Sequence, residues 1–128
     1  MGLKNYKNQK GAAAVEFAII LPLLIMLVFG IIQFGIAYNN WISLTHAARH
    51  GARIAAVGDY ESIEDFENQV RQSSPTVEIE NITLDIQGNY IGDPVVVTVS
   101  GYVLIIDIPL VDSWPVQLTS EASMRLEK

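Results

Sequence analysis

The chain has 128 residues, a net charge of −6, a hydrophobic fraction of 50% and no cysteine. That length has room for one anchor and one small domain, and without cysteine no disulfide can staple the fold. The acidic surplus lacks the basic footprint that nucleic-acid binding needs, which excludes that class of partner.

Residues 1–10 (MGLKNYKNQK) are polar and without periodicity, and they hold Lys4, Lys7 and Lys10 with no acid. They are expected to form a disordered cytoplasmic leader. Residues 59–128 hold thirteen of the fourteen acidic side chains, against only Arg71, Arg125 and Lys128. Basic residues beside a span favour the cytoplasmic side, which places the N-terminus inside and the acidic bulk outside.

From Ala12 to Ala37 the side chains are apolar or small apart from Glu16 and Gln33. A helix over this stretch rises about 39 Å, enough to cross a hydrocarbon core of roughly 30 Å with some tilt. The sequence therefore predicts a transmembrane helix at 12–37. Pro22 removes one backbone donor and crowds the preceding turn, so a kink or loosened turn is expected near Ala18. Gly30 and Gly35 are candidate points of close helix approach, although their spacing is not the GxxxG period. A secretory signal peptide cut after Ala37 is the competing reading; the long apolar run and the early Glu16 oppose it.

Gly11 follows Lys10 and stands five residues before Glu16, which Phe17 follows. This glycine, four small or apolar residues, a glutamate and an aromatic resemble the processing site of type IV prepilins. The resemblance implies cleavage between Gly11 and Ala12 by a prepilin peptidase, with Glu16 fifth in the mature chain. Glu-Tyr is usual at the last two positions in the tight-adherence branch; Glu16-Phe17 keeps the aromatic.

Beyond the span, Asn39, Ser43, His46, His50 and Arg53 recur at helical intervals, while Trp41, Leu44, Ala48, Ala52 and Ala55 take the other side. This predicts an amphipathic extension at 38–58, continuous with the span, with Gly58 as its C-terminal stop. Tyr38 and Trp41 suit an interfacial aromatic belt. His46 and His50 have two-histidine metal spacing, but no carboxylate lies between them and Arg49 and Arg53 flank them. A solvated polar stripe is the better reading, and no metal site is assigned. With Pro22, Gly30 and Gly35, the run Ala47-Ala48-Arg49-His50-Gly51-Ala52-Arg53-Ile54-Ala55-Ala56 resembles the TadE-like family, minor pseudopilins of the tight-adherence (Flp) pilus. The resemblance covers about residues 10–57.

A second helix is expected over Asp59–Gln72, capped by Asp59 or Ser62, with Ile63, Phe66 and Val70 facing the core. Its Glu61, Glu64, Asp65 and Glu67 lack the ligand order of a calcium loop and read as a solvated face. After Ser73-Ser74-Pro75 the period becomes two. Val77 and Ile79 keep one phase while Ile82, Leu84 and Ile86 keep the other, which implies a bulge near Glu80–Asn81. Residues 87–94 are a turn, 95–106 the most strand-like segment and so central, 107–115 a loop, and 116–126 a strand with one wet face. The predicted class is α+β: the long helix and a short one on a three- or four-stranded antiparallel sheet, with 59–128 as a small exported domain.

No nucleophile elbow, phosphate-binding glycine loop or cysteine nucleophile is present, so no catalytic residue and no cofactor is assigned. The resemblance implies a non-enzymatic minor pseudopilin, with Gly11, Ala12, Glu16 and Phe17 for processing and Glu16, Pro22, Gly30 and Gly35 for assembly. Its implied partners are the prepilin peptidase, other pilins and the assembly platform of the bacterial inner membrane. The alternative is an uncleaved anchor carrying a periplasmic binding or accessory module.

Overall fold

The computed structural model describes residues 6–104 and 115–127. The chain divides into two compact units, the first ending at Gly35 and the second running from Ile36 onward. The element order is α1 (Tyr6–Val57), α2 (Ile63–Gln72), β1 (Ile79–Ile86), β2 (Pro94–Leu104) and β3 (Pro115–Arg125).

Helix α1 is one element and continues through Pro22. It begins at Tyr6, inside the stretch expected to be a disordered leader. Residues 6–10 contain neither glycine nor proline, and adding turns to an existing helix avoids the nucleation cost. Its end is specified locally. Gly58 adopts φ 70°, and the N–H groups of Gly58 and Asp59 both donate to the Ile54 carbonyl, at 2.9 and 3.1 Å. A positive φ is accessible to glycine at little cost, so the helix stops there.

Ser62, not Asp59, caps α2. Its hydroxyl accepts from the Asp65 N–H at 3.1 Å, and Asp65 Oδ2 accepts from the Glu61 N–H at 3.2 Å. The first bond satisfies a donor that the helix start would otherwise leave open, and the second ties the residue before the cap to the first turn. Phe66 and Val70 are buried as their spacing predicts, whereas Ile63 is 58% exposed.

The sheet order is β1-β2-β3, antiparallel throughout, with β2 central. Ile79 pairs with Gly101 but Asn81 pairs with Ser100, so Glu80 is the extra residue of a bulge. That is the phase slip read in the sequence, and it brings Ile82, Leu84 and Ile86 onto the core-facing side. Cross-strand rows there include Leu84–Val97–Ala122 and Ile82–Val99–Ser120. The other face carries Asp85, Thr98, Gln117 and Glu121. Strand β3 begins one residue earlier than predicted, at Pro115, a position in an edge strand where a missing N–H is tolerated. The expected loop at 107–115 otherwise lies outside the described residues.

Within the second unit, the C-terminal part of α1 supplies one wall of the core. Leu44, Ala47, Ala48, Ala52 and Ala55 are buried with Phe66, Val70, Val95, Val97 and Val99. Small side chains let the helix approach closely. Gly51 faces Val70 and Val97, and Gly101 sits beneath Leu44 and the Glu78 carbonyl. Ser120 Oγ donates to Thr45 Oγ1 at 3.0 Å, and the Glu127 N–H donates to the Ala56 carbonyl at 2.9 Å. The alanine-rich face that the sequence suited to close packing is thus covered by the domain.

Candidate functional site

Gly11, Ala12, Glu16 and Phe17 all lie in α1 and are exposed. A Cβ on Gly11 would meet nothing within 4 Å. Glycine inside a helix costs about 1 kcal/mol relative to alanine, so the Gly11–Ala12 bond sits where the first turns unwind most easily. At about 100° per residue, Ala12 and Gly30 lie within about 40° of Glu16, on one helix face. Pro22 and Gly35 fall about 120° and 100° away on opposite sides of that face. The residues expected to act in assembly are therefore spread around the helix: of these only Glu16 and Gly30 share one side, with the processing residue Ala12 beside them.

Every residue from Gly11 to Ile32 is exposed within the chain, including Ile19 (72%) and Met26 (72%). Gly30 and Gly35 have open space where a Cβ would stand. A helix apolar on all sides is not stable in water, so lipid or other helices must cover it. The helix is long and apolar enough to cross a membrane, and it fits a single-pass anchor. Among residues whose side chains are described, Glu16 has no ionic partner. A carboxylate there needs the headgroup region, a neighbouring amine or another subunit's group to offset its transfer cost.

His46, Arg49, His50 and Arg53 are exposed along α1, as the stripe pattern required. Among the described residues, no group of three or more His, Cys, Asp or Glu side chains could hold a metal ion. The sequence reading did not identify Arg71 as structurally important. Its guanidinium donates to the carbonyls of Ile79 and Glu80, which brackets the bulge of β1. Nothing local in the sequence signals this, because the contact depends on how α2 docks.

Comparison with known proteins adds one finding. The model of the TadE-like protein family matches residues 11–53. The match begins at the glycine of the processing pattern and ends within the stripe of α1; α2 and the sheet lie beyond it. No curated protein and no solved structure matches the chain.

Proposed function

We propose, from the premise that residues 11–53 are TadE-like, that the chain is a non-enzymatic minor pseudopilin of the tight-adherence pilus. A prepilin peptidase cuts between Gly11 and Ala12, and the exposed apolar part of α1 then packs among the helices of other pilins at the assembly platform. The protein sits in the bacterial inner membrane with its N-terminus cytoplasmic and residues 59–128 periplasmic. The observation carrying this reading is the placement of Gly11 and Glu16 at the head of a helix whose apolar surface the chain itself leaves uncovered.

Intact-mass analysis of protein from its native membrane tests the processing step. A mature chain starting at Ala12, and a full-length precursor for Gly11→Leu, are the expected results. A start at Tyr38 supports a signal peptide and an intact Met1 supports the uncleaved anchor; either one counts against the pseudopilin. A reporter active only in the periplasm should work when fused after Lys128, and activity of a cytoplasm-only reporter there contradicts the topology.

A further inference from the structure

The two edges of the sheet are built differently. Gln87 N–H bonds to the Pro94 carbonyl at 3.1 Å, which sets the alternation of the β1–β2 ladder. By that alternation the N–H and C=O groups of Ile82, Leu84 and Ile86 point away from β2, toward the open edge. Among the described residues, no backbone group from another element bonds to them. Their side chains share the core-facing side with the α2 residues Ile63 and Phe66, and these five, with Glu67, line a cavity of about 360 Å³. Ile63 is 58% and Ile86 42% exposed at its rim. At the β3 edge, the Leu126 N–H to Asp93 carbonyl bond fixes the opposite alternation. The outward-facing residues there are Gln117, Thr119, Glu121, Ser123 and Arg125, whose side chains lie on the wet face. The β3 edge is therefore polar, and the β1 edge is apolar.

Proteins usually blunt an open edge with a charge, a bulge or a cover. Here the Glu80 bulge and the Arg71 guanidinium occupy the edge only at Ile79 and Glu80. The stretch 82–86 keeps its donors and acceptors beside an apolar groove.

We propose that the β1 edge at Ile82–Ile86 takes up an extended segment of a partner protein as a fourth strand. This surface is separate from the N-terminal helix, and the proposal does not depend on how that helix is processed. The free backbone groups specify a strand as the occupant, because only an extended chain matches their spacing. The groove specifies apolar side chains at alternate positions, pointing the same way as Leu84. Charge specifies the remainder. Asp85 stands on the wet face of β1, and residues 59–128 carry thirteen acids against three basic residues; Glu67, at the rim of the groove, is already paired with Arg71 at 3.8 Å. A partner segment with basic residues between its apolar ones is attracted, whereas a second acidic copy of this chain is repelled.

The test uses the full chain in detergent micelles and a labelled Lys-Val-Lys-Val-Lys-Val-Lys peptide followed by fluorescence anisotropy. Amide exchange at Ile82, Leu84 and Ile86 is measured alongside. The three amides should exchange freely alone and become protected when peptide is bound. The added strand runs antiparallel to β1, so its valine amides face β1: N-methylation of the valines should abolish binding, while N-methylation of the lysines, whose amides then lie on the far edge, should leave it intact. Ile63→Lys, on an exposed position of α2, should weaken binding by about tenfold, as should Ile86→Pro, which removes one outward N–H. Replacing the lysines by glutamates should eliminate binding. Protection before any peptide is added, equal binding of both N-methylated peptides, or indifference to Ile63→Lys overturns the proposal. So does a second copy as occupant. The chain has no cysteine, and efficient disulfide dimer formation by Thr83→Cys would reveal that occupant.

Discussion

Gly51 of α1 lies so close to Val97 of β2 that a Cβ at position 51 would stand 3.1 Å from Val97 Cγ1; Val70 Cγ2 would be 3.0 Å away on the other side. At this point the helix meets the central strand and α2 with no side chain of its own between them. Gly51→Leu should destabilise the domain by about 1–3 kcal/mol through overpacking. Gly51→Ala should be near neutral, since a few tenths of an ångström of adjustment offset a helix-propensity gain of about 1 kcal/mol. Urea unfolding of the two variants should separate them clearly; equal midpoints would mean that the helix is not seated on the sheet.

Phe66 is 1% exposed and packs at 5.4 Å, centroid to centroid, against Tyr60, whereas Ile63 one turn away is largely in solvent. Phe66→Ala should cost about 3–5 kcal/mol and Ile63→Ala no more than about 0.5 kcal/mol. Thermal melts read by circular dichroism would show the contrast, and similar losses at both sites would contradict the seating of α2.

Ser62 Oγ accepts from the Asp65 N–H at 3.1 Å. Ser62→Ala should lower stability by about 1 kcal/mol, and Ser62→Asp should restore most of it because a carboxylate also favours a helix N-terminus. Failure of aspartate to rescue would place the loss elsewhere than in the cap.

For Glu16 the expected outcome is separation of processing from assembly. Cleavage at Gly11 would create an ammonium at Ala12, about 6 Å along the helix axis from Glu16. Within one first turn there is little slack to align that pair, so under the proposed pilus function the partner of the ammonium is expected to be a neighbouring subunit's carboxylate. Glu16→Ala should therefore insert and mature yet lose co-purification with pilin partners after crosslinking. Recovery of the same partners at the same yield would remove the pairing role.

Because Leu44, Ala47, Ala48, Ala52 and Ala55 are all buried, a domain drawn from residue 59 onward lacks one wall of its core. A fragment of residues 36–128 should give a cooperative unfolding transition, and a fragment of 59–128 should not. Cooperative melting of the shorter piece would show that α1 is dispensable to the sheet.

Much of this architecture is legible in the sequence because it rests on local rules. The phase slip between Ile79 and Ile82 located the bulge at Glu80, and the alanine run located the face that packs on the domain. Gly58 marked the end of α1. What escaped depends on tertiary context. Ile63 fits the apolar stripe of α2 as well as Phe66 does, but α2 docks so that its first turn overhangs the edge of β1. The start of α1 at Tyr6 reflects propagation from a long helix, which a polar leader read alone does not suggest. The capping of β1 carbonyls by Arg71 has no sequence pattern at all. At the N-terminal helix, the order of Gly11, Glu16 and Phe17 was readable, while their distribution around the helix surface needed only helical geometry.

The bond from Ser120 to Thr45 spans 75 positions of sequence, whereas every strand pairs with its neighbour in the chain. Local hairpins close with little entropic loss, and closing the long loop between α1 and β3 is the slow event. Synthesis runs from the N-terminus, so β2 emerges before β3 exists to flank it. Until β3 is made, Val95, Val97 and Val99 belong to a half-built sheet with β2 at its edge. The nascent domain is then most open to the wrong partner, and a chaperone that binds apolar strands would find its target in that interval.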